Sequence, residues 1–264
     1  MIKLPIFQID AFTSRVFKGN PAAVVPLDSW LPDATLQAIA AENNLSETAY
    51  FVAEDDGWRL RWFTPAVEVD LCGHATLATA HLIFTRLSAD ADRVRFLTRS
   101  GPVEVIRENG GRLALDFPSS PATPVNDTAK LDAVAAALGR RPGELLFGMD
   151  YMAVFAGEAD VASLAPDLGC VAKLGGRGMI VTAPGRECDF VSRFFGPNVG
   201  IPEDPVTGSA HCTLTPYWSR RLVKSALTAR QISRRGGELF LEDRGGRTRI
   251  GGHAVLYLEG TIFV

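Results

Sequence analysis

No apolar run in this chain is long enough to cross a membrane. The longest uncharged stretch of the first half, residues 71–85, falls short of the ~20 apolar residues a spanning helix requires, and it reads as a helix enclosed in a folded domain. Cysteine is scarce. The four present, Cys72, Cys170, Cys188 and Cys212, form no close pair, which fits neither a disulfide scaffold nor a zinc site and makes reduced thiols the expectation. Met1-Ile2-Lys3-Leu4-Pro5 lacks the basic region, apolar core and cleavage site of a signal peptide, so a cytoplasmic protein is expected. An excess of charge is missing too: 27 lysines and arginines against 30 aspartates and glutamates leave a formal net charge of −3, not the field of a general nucleic-acid binder. The expected partner is a small molecule, with no nucleic acid and no membrane.

Other absences concern chemistry. Among the histidines no metal-ligand spacing is visible, since His74 and His81 stand seven residues apart and His211 and His253 are isolated, so no metal is expected. A phosphate-binding glycine loop, a serine-hydrolase elbow and a dinucleotide fingerprint are also lacking. Chemistry without metal or organic cofactor is therefore favoured. The stretch 219–249 holds nine basic residues against three acids, which reads as a solvated basic face.

What is present is an ordinary globular composition, 47% hydrophobic and 22% charged over 264 residues, enough for one large domain or two smaller ones. Two are favoured. Pro118-Ser119-Ser120-Pro121-Ala122-Thr123-Pro124 cannot continue a helix or a central strand and reads as a linker. Around it the chain repeats itself. Arg61-Trp62-Phe63-Thr64-Pro65 is echoed by Arg193-Phe194-Phe195-Gly196-Pro197, the prolines lying 132 residues apart, and Cys72-Gly73-His74-Ala75-Thr76 by Thr207-Gly208-Ser209-Ala210-His211. The predicted domains are 1–117, with the strand about 254–264 a candidate to return to it, and 125–253.

Short alternating or apolar segments bounded by Gly, Asp, Asn or Pro predict strands at 48–52, 58–63, 103–106, 113–117, 151–155, 179–182, 190–195, 238–241 and 255–258. Helices are predicted at 33–42 with Asp33 as cap, at 127–138 between Asp127 and Gly139, and after Gly73 and Gly208. Strands outnumber helices and cluster, which makes the fold α+β with mixed or antiparallel sheets. Residues 73–84 are apolar nearly all round, so a sheet must wrap that helix.

Few residues announce chemistry by themselves. Glu47, in Asn44-Leu45-Ser46-Glu47-Thr48-Ala49, reads alone as a solvated acid in a polar loop, and His74 as a satisfied buried histidine. Glu203 and Asp204 before the second glycine helix read as dipole compensation, and Gly19-Asn20-Pro21 as a turn into a strand.

Together, Gly19-Asn20-Pro21-Ala22, the Glu47 and Arg61 segments, Cys72-Gly73-His74-Ala75-Thr76 and Glu203-Asp204-Pro205-Val206-Thr207-Gly208-Ser209-Ala210-His211 closely resemble the phenazine-biosynthesis PhzF family. The resemblance spans both halves. It implies a diaminopimelate-epimerase-like fold of two pseudo-symmetric domains, each a curved sheet around a central helix, with the active site in the cleft between them. It also implies a homodimer without metal or organic cofactor, acting on a small carboxylate-bearing, cyclic or amino-acid-like substrate.

The phenazine enzyme isomerises a dihydro-hydroxyanthranilic acid by moving a proton from one ring carbon to another. On that pattern Glu47 is the shuttling acid/base, His74 and Asp204 hold polar groups of the substrate, and Asn20, Gly73, Gly208 and Ser209 complete the binding site. A glutamate enclosed away from water has its pKa raised, and backbone N–H groups at Gly73 and Gly208 suit a carboxylate or an enolate. Related racemases use two thiols instead. Cys72 matches the first, but the second position is Thr207, whose hydroxyl is far too weakly acidic to replace a thiolate. The alternatives are therefore a racemase or epimerase of a small amino or hydroxy acid, and a PhzF-like protein that binds a small ligand without catalysis.

Overall fold

A computed structural model describes residues 1–264, which divide into two compact units. One is Met1–Asp116 with Gly251–Val264, the other Phe117–Ile250.

In the first unit Lys3–Ala11 lies between Ala254–Phe263 and Asn20–Leu27, antiparallel to both. Asn20–Leu27 then runs parallel to Glu47–Glu54, which is antiparallel to Gly57–Phe63. Gly57–Phe63 pairs in parallel with Arg93–Thr98, and Gly101–Arg107 returns antiparallel. The second unit repeats this succession. Glu144–Phe147 is antiparallel to Tyr151–Val154, which is parallel to Met179–Pro184. Phe190–Gly196 follows antiparallel, Ala226–Gln231 parallel and Gly237–Asp243 antiparallel. Even the outermost strand has a counterpart, because Thr123–Pro124 pairs with Glu144–Phe147 as Ala254–Phe263 pairs with Lys3–Ala11.

The first central helix, Gly73–Leu82, touches strands of the sheet along its length and is buried from His74 to Ala80. Its two threonines bond back to the carbonyls of Cys72 and Ala75, so no hydroxyl is stranded in the core. The helix ends earlier than the predicted 84, continuing as a wider π turn over Ile83–Leu87. On the opposite face of the sheet, Asp33–Asn43 covers a core that includes Ile6, Val25, Leu36, Ile39 and Tyr50. Asp33 does not cap this helix: Pro32 holds the cap position, and Asp33 in the first turn pairs with Arg61 at 2.9 Å.

The second central helix is Gly208–Leu222. Pro216 lies inside it and has no N–H to give the carbonyl of Cys212 four residues back. That carbonyl accepts from the Ser120 N–H at 2.9 Å. Ser119 is tied as well, its N–H to Gly246 and its hydroxyl to Thr248. The proline-rich stretch read as a linker is thus a docked segment, held in part by a carbonyl that the helix's own ladder leaves unused.

The Arg-x-Phe echo is structural. Arg61 grips both oxygens of Glu68 at 2.8 and 2.9 Å above the Phe63 ring, and Arg193 grips Glu203 at 2.7 and 3.1 Å above Phe195. In each unit this pair closes the strand that precedes the central helix. The basic stretch 219–249 is partly neutralised by distant acids: Arg221 by Glu144, Lys224 by Asp189 and Arg230 by Glu187.

Candidate active site

Gly19 has φ +64°, and a Cβ there would lie 2.1 Å from the carbonyl oxygen of Ala11. Only glycine fits. The tight turn delivers Asn20 as the first, buried residue of its strand. On the neighbouring strand Glu47 is likewise the first residue, in register with Ala22. The reading of Glu47 as a loop acid is therefore corrected. Asn44 ends the preceding helix in the left-handed conformation that asparagine tolerates, and Asn43 bonds the Thr48 hydroxyl, which turns the chain directly into the strand.

Glu47 and His74 meet there. The Glu47 side chain is 12% exposed and that of His74 7%, and Oε2 lies 3.2 Å from Nε2, close but poorly aligned. The other ring nitrogen, Nδ1, faces Asn20 Nδ2 at 3.3 Å and Cys72 Sγ at 3.5 Å. An amide NH₂ can only donate, and Asn20 Oδ1 is within 3.5 Å of the Ser46 hydroxyl, so Nδ1 is assigned as the acceptor and the ring proton as sitting on Nε2, toward Glu47. Burial pushes the His74 pKa down to about 3, which keeps the imidazole neutral. A neutral N–H donor thus faces a carboxylate at the start of the helix.

Glu47, Cys72 and His74 have ligand-type atoms within 4.8 Å of one another, so folding supplies the acid and the thiol that sequence spacing did not show. Within this group the thiol lies nearer Nδ1, at 3.5 Å, and the carboxylate nearer Nε2, at 3.2 Å.

In the second unit Asp204 ends the strand Ile201–Asp204 and is buried. Thr207 donates its hydroxyl to Asp204 Oδ2 at 2.5 Å. Gln231 closes the group: its Oε1 accepts from Thr207 N–H at 2.9 Å, and its Nε2 donates to the Asp204 carbonyl at 2.7 Å. With the Thr207 hydroxyl so engaged, no side chain caps the helix start at Gly208, and none caps the start at Gly73. Ser209 follows, and its Oγ accepts from Arg177 Nη2 at 3.3 Å.

Among the sequence-predicted residues, Asn20, Glu47, Gly73 and His74 gather in the first unit, and Asp204, Gly208 and Ser209 in the second. Gln231, Thr207 and Arg177 were not anticipated as site residues. Gln231 carries no local signal, whereas Arg177 sits in Gly175-Gly176-Arg177-Gly178, a glycine-rich turn that could have been noticed.

The duplicated sheet-around-helix units and the acid–imidazole pair at a helix start suit an enzyme, and its relatives place it in the isomerase class. Comparison with known proteins agrees. The sequence pattern of the PhzC-PhzF family, described as phenazine biosynthesis-like protein, matches residues 9–260, and the chain belongs to that family. An uncharacterized isomerase of Pseudomonas aeruginosa is 53% identical, with 99% of each chain covered. The crystal structure of a PhzF-family protein from Enterococcus faecalis superposes with a TM-score of 0.94 at 45% identity, covering all of both chains. A hydroxyproline epimerase from Agrobacterium vitis shares the fold alone, with a TM-score of 0.62 at 11% identity over 98% of this chain and 91% of the other. The fold is thus α+β and diaminopimelate-epimerase-like.

Proposed function

We propose that this isomerase works without a cofactor, Glu47 taking a proton from one carbon of a small carboxylate-bearing substrate and returning it to another. The C–H bond breaks, its electron pair stays on the substrate as an enolate-type anion, and the carboxylic acid of Glu47, whose proton exchanges with solvent, re-forms a C–H bond elsewhere. No oxidant or reductant is consumed. On this reading His74, neutral and protonated at Nε2, offers a hydrogen bond without competing for the proton. Asp204 and Ser209, with Asn20 and the N–H groups at Gly73 and Gly208, hold the polar groups of the substrate. The expected homodimer and cytoplasmic setting belong to the same proposal.

The observation that carries the reading is the Glu47–His74 contact in a nearly enclosed setting. A two-thiol racemase is less well supported, because Thr207 stands where the second thiol would be and its hydroxyl is given to Asp204. The test is deuterium uptake from heavy water into a panel of cyclic amino acids and dihydroaromatic carboxylates, followed by mass spectrometry. Glu47→Gln keeps size and hydrogen bonding but removes the base, so exchange should fall by about 10² or more, while chelation should leave the wild type unaffected. Exchange by Glu47→Gln at the wild-type rate would overturn the assignment.

A further inference from the structure

We propose that Arg177 is the charged anchor for the substrate's carboxylate, with the buried Asp150 as its positioning partner. The inference rests on the isomerase reading in one respect, that the substrate carries a carboxylate, and it names the side chain that recognises that group.

The turn holding Arg177 is built around glycine. Gly175 and Gly176 have φ +89° and +74°, and a Cβ on Gly178 would lie 2.4 Å from the carbonyl oxygen of Phe195. The backbone on both sides of the arginine is therefore fixed by conformations and a close approach that side chains would forbid. Asp150 fixes the other end. Its carboxylate accepts from Arg177 Nε at 3.2 Å and Nη2 at 2.6 Å, a forked pair. The Asp150 side chain is only 1% exposed and that of Arg177 40%. Burying an acid is costly unless it is paired, and for stability alone an apolar pair serves as well. A buried acid holding a half-open arginine is an orienting device.

Donor accounting shows what it orients. A guanidinium has five N–H groups. Two go to Asp150 and one to Ser209 Oγ. Nη1 keeps both of its hydrogens for another acceptor. Ser209 already accepts from Arg177, so its own hydroxyl hydrogen is left to donate. It is the second residue of a helix whose first turn has no side-chain cap. Guanidinium, hydroxyl and helix N–H groups thus offer donors at one place in the second unit, and an acid with two acceptor oxygens is the ligand that matches them.

The experiment compares carboxylates with their uncharged amides, L-proline with L-prolinamide and benzoate with benzamide, by calorimetric titration. Binding selectivity needs no turnover, so the result is independent of whether Glu47 is the base. The wild type should prefer a carboxylate over its amide by about tenfold or more. Arg177→Met combined with Asp150→Asn removes both partners without stranding a buried charge, and it should abolish that preference while keeping the melting temperature close to wild type. If that double variant does not fold, Arg177→Gln, which can still donate to Asp150 but lacks the charge, gives the same readout. Asp150→Asn alone should weaken carboxylate binding yet retain the preference. A wild type without preference in either pair, or a preference surviving the loss of Arg177, would overturn the proposal and leave the arginine a cross-link between loops.

Discussion

His74 and His211 are ionisable side chains from which the fold removes water. Burial pushes the first down to about 3 and the second to about 4, the latter against the opposing pull of the Thr207 carbonyl at Nδ1. In the unfolded chain both titrate near 6.5. Below that pH the unfolded state binds protons that the folded state refuses, so their contribution is fully present above about 6.5 and declines as pH falls toward 4 and then 3. The slope is on the order of 1 kcal/mol per pH unit for each histidine. Urea midpoints should therefore drop between pH 7.5 and 5, and His211→Gln should flatten the dependence; a midpoint as high at pH 5 would contradict this. The pair also shows what a sequence discloses about a site. Asn20 reads as part of a turn into a strand and is that strand's first residue, but its amide facing the imidazole depends on elements brought together by folding. Glu47 stood out only through its motif. Gln231 could not stand out, because Asp204 and Thr207 lie far from it along the chain, and Arg177 offered only its glycine-rich turn, since Asp150 and Ser209 are equally remote in sequence.

Among the elements, the strand that leads into each central helix is closed by the same device, an arginine gripping a glutamate over a phenylalanine. Arg193 is the more enclosed of the two, and it also donates to the carbonyls of Val161 and Leu164. Arg193→Met would leave Glu203 and two carbonyls short of a donor at once. The expected loss is about 2 kcal/mol by urea unfolding, partly recovered when Glu203→Leu is added. An unchanged midpoint would show that the pair is ornamental. Element positions were largely legible: the helix between Asp127 and Gly139 has the side-chain cap and the left-handed stop that its sequence announces. Where reading failed, a tertiary partner had intervened. Asp33 is drawn to Arg61 instead of its own helix, and the end of the first central helix is set by packing that tolerates a π turn.

At the scale of the molecule, the two units repeat a scaffold and differ in what they mount on it. The first carries carboxylate, imidazole and thiol; at the corresponding start of strand the second has Met179, and its helix begins with a serine beside an arginine. The duplication was visible in sequence where the scaffold requires it, at Arg-x-Phe and the glycine helix starts, and invisible in the paired strands, whose apolar residues are interchangeable. Pro216 shows how such a scaffold sets timescales. Because Ser120 N–H is held by the carbonyl that Pro216 leaves vacant, its hydrogen can exchange with solvent only when the segment lifts away from the helix. Ser120 should be protected in a Pro/Ser stretch where rapid exchange would otherwise be expected. Pro216→Ala restores a competing N–H, and by hydrogen–deuterium exchange it should shorten the Ser120 lifetime about tenfold while the rest of the second unit is little changed. Equal lifetimes would mean that the segment is held by Ser119 alone. One residue's inability to donate thus governs how long a stretch of chain, remote in sequence, stays closed to water.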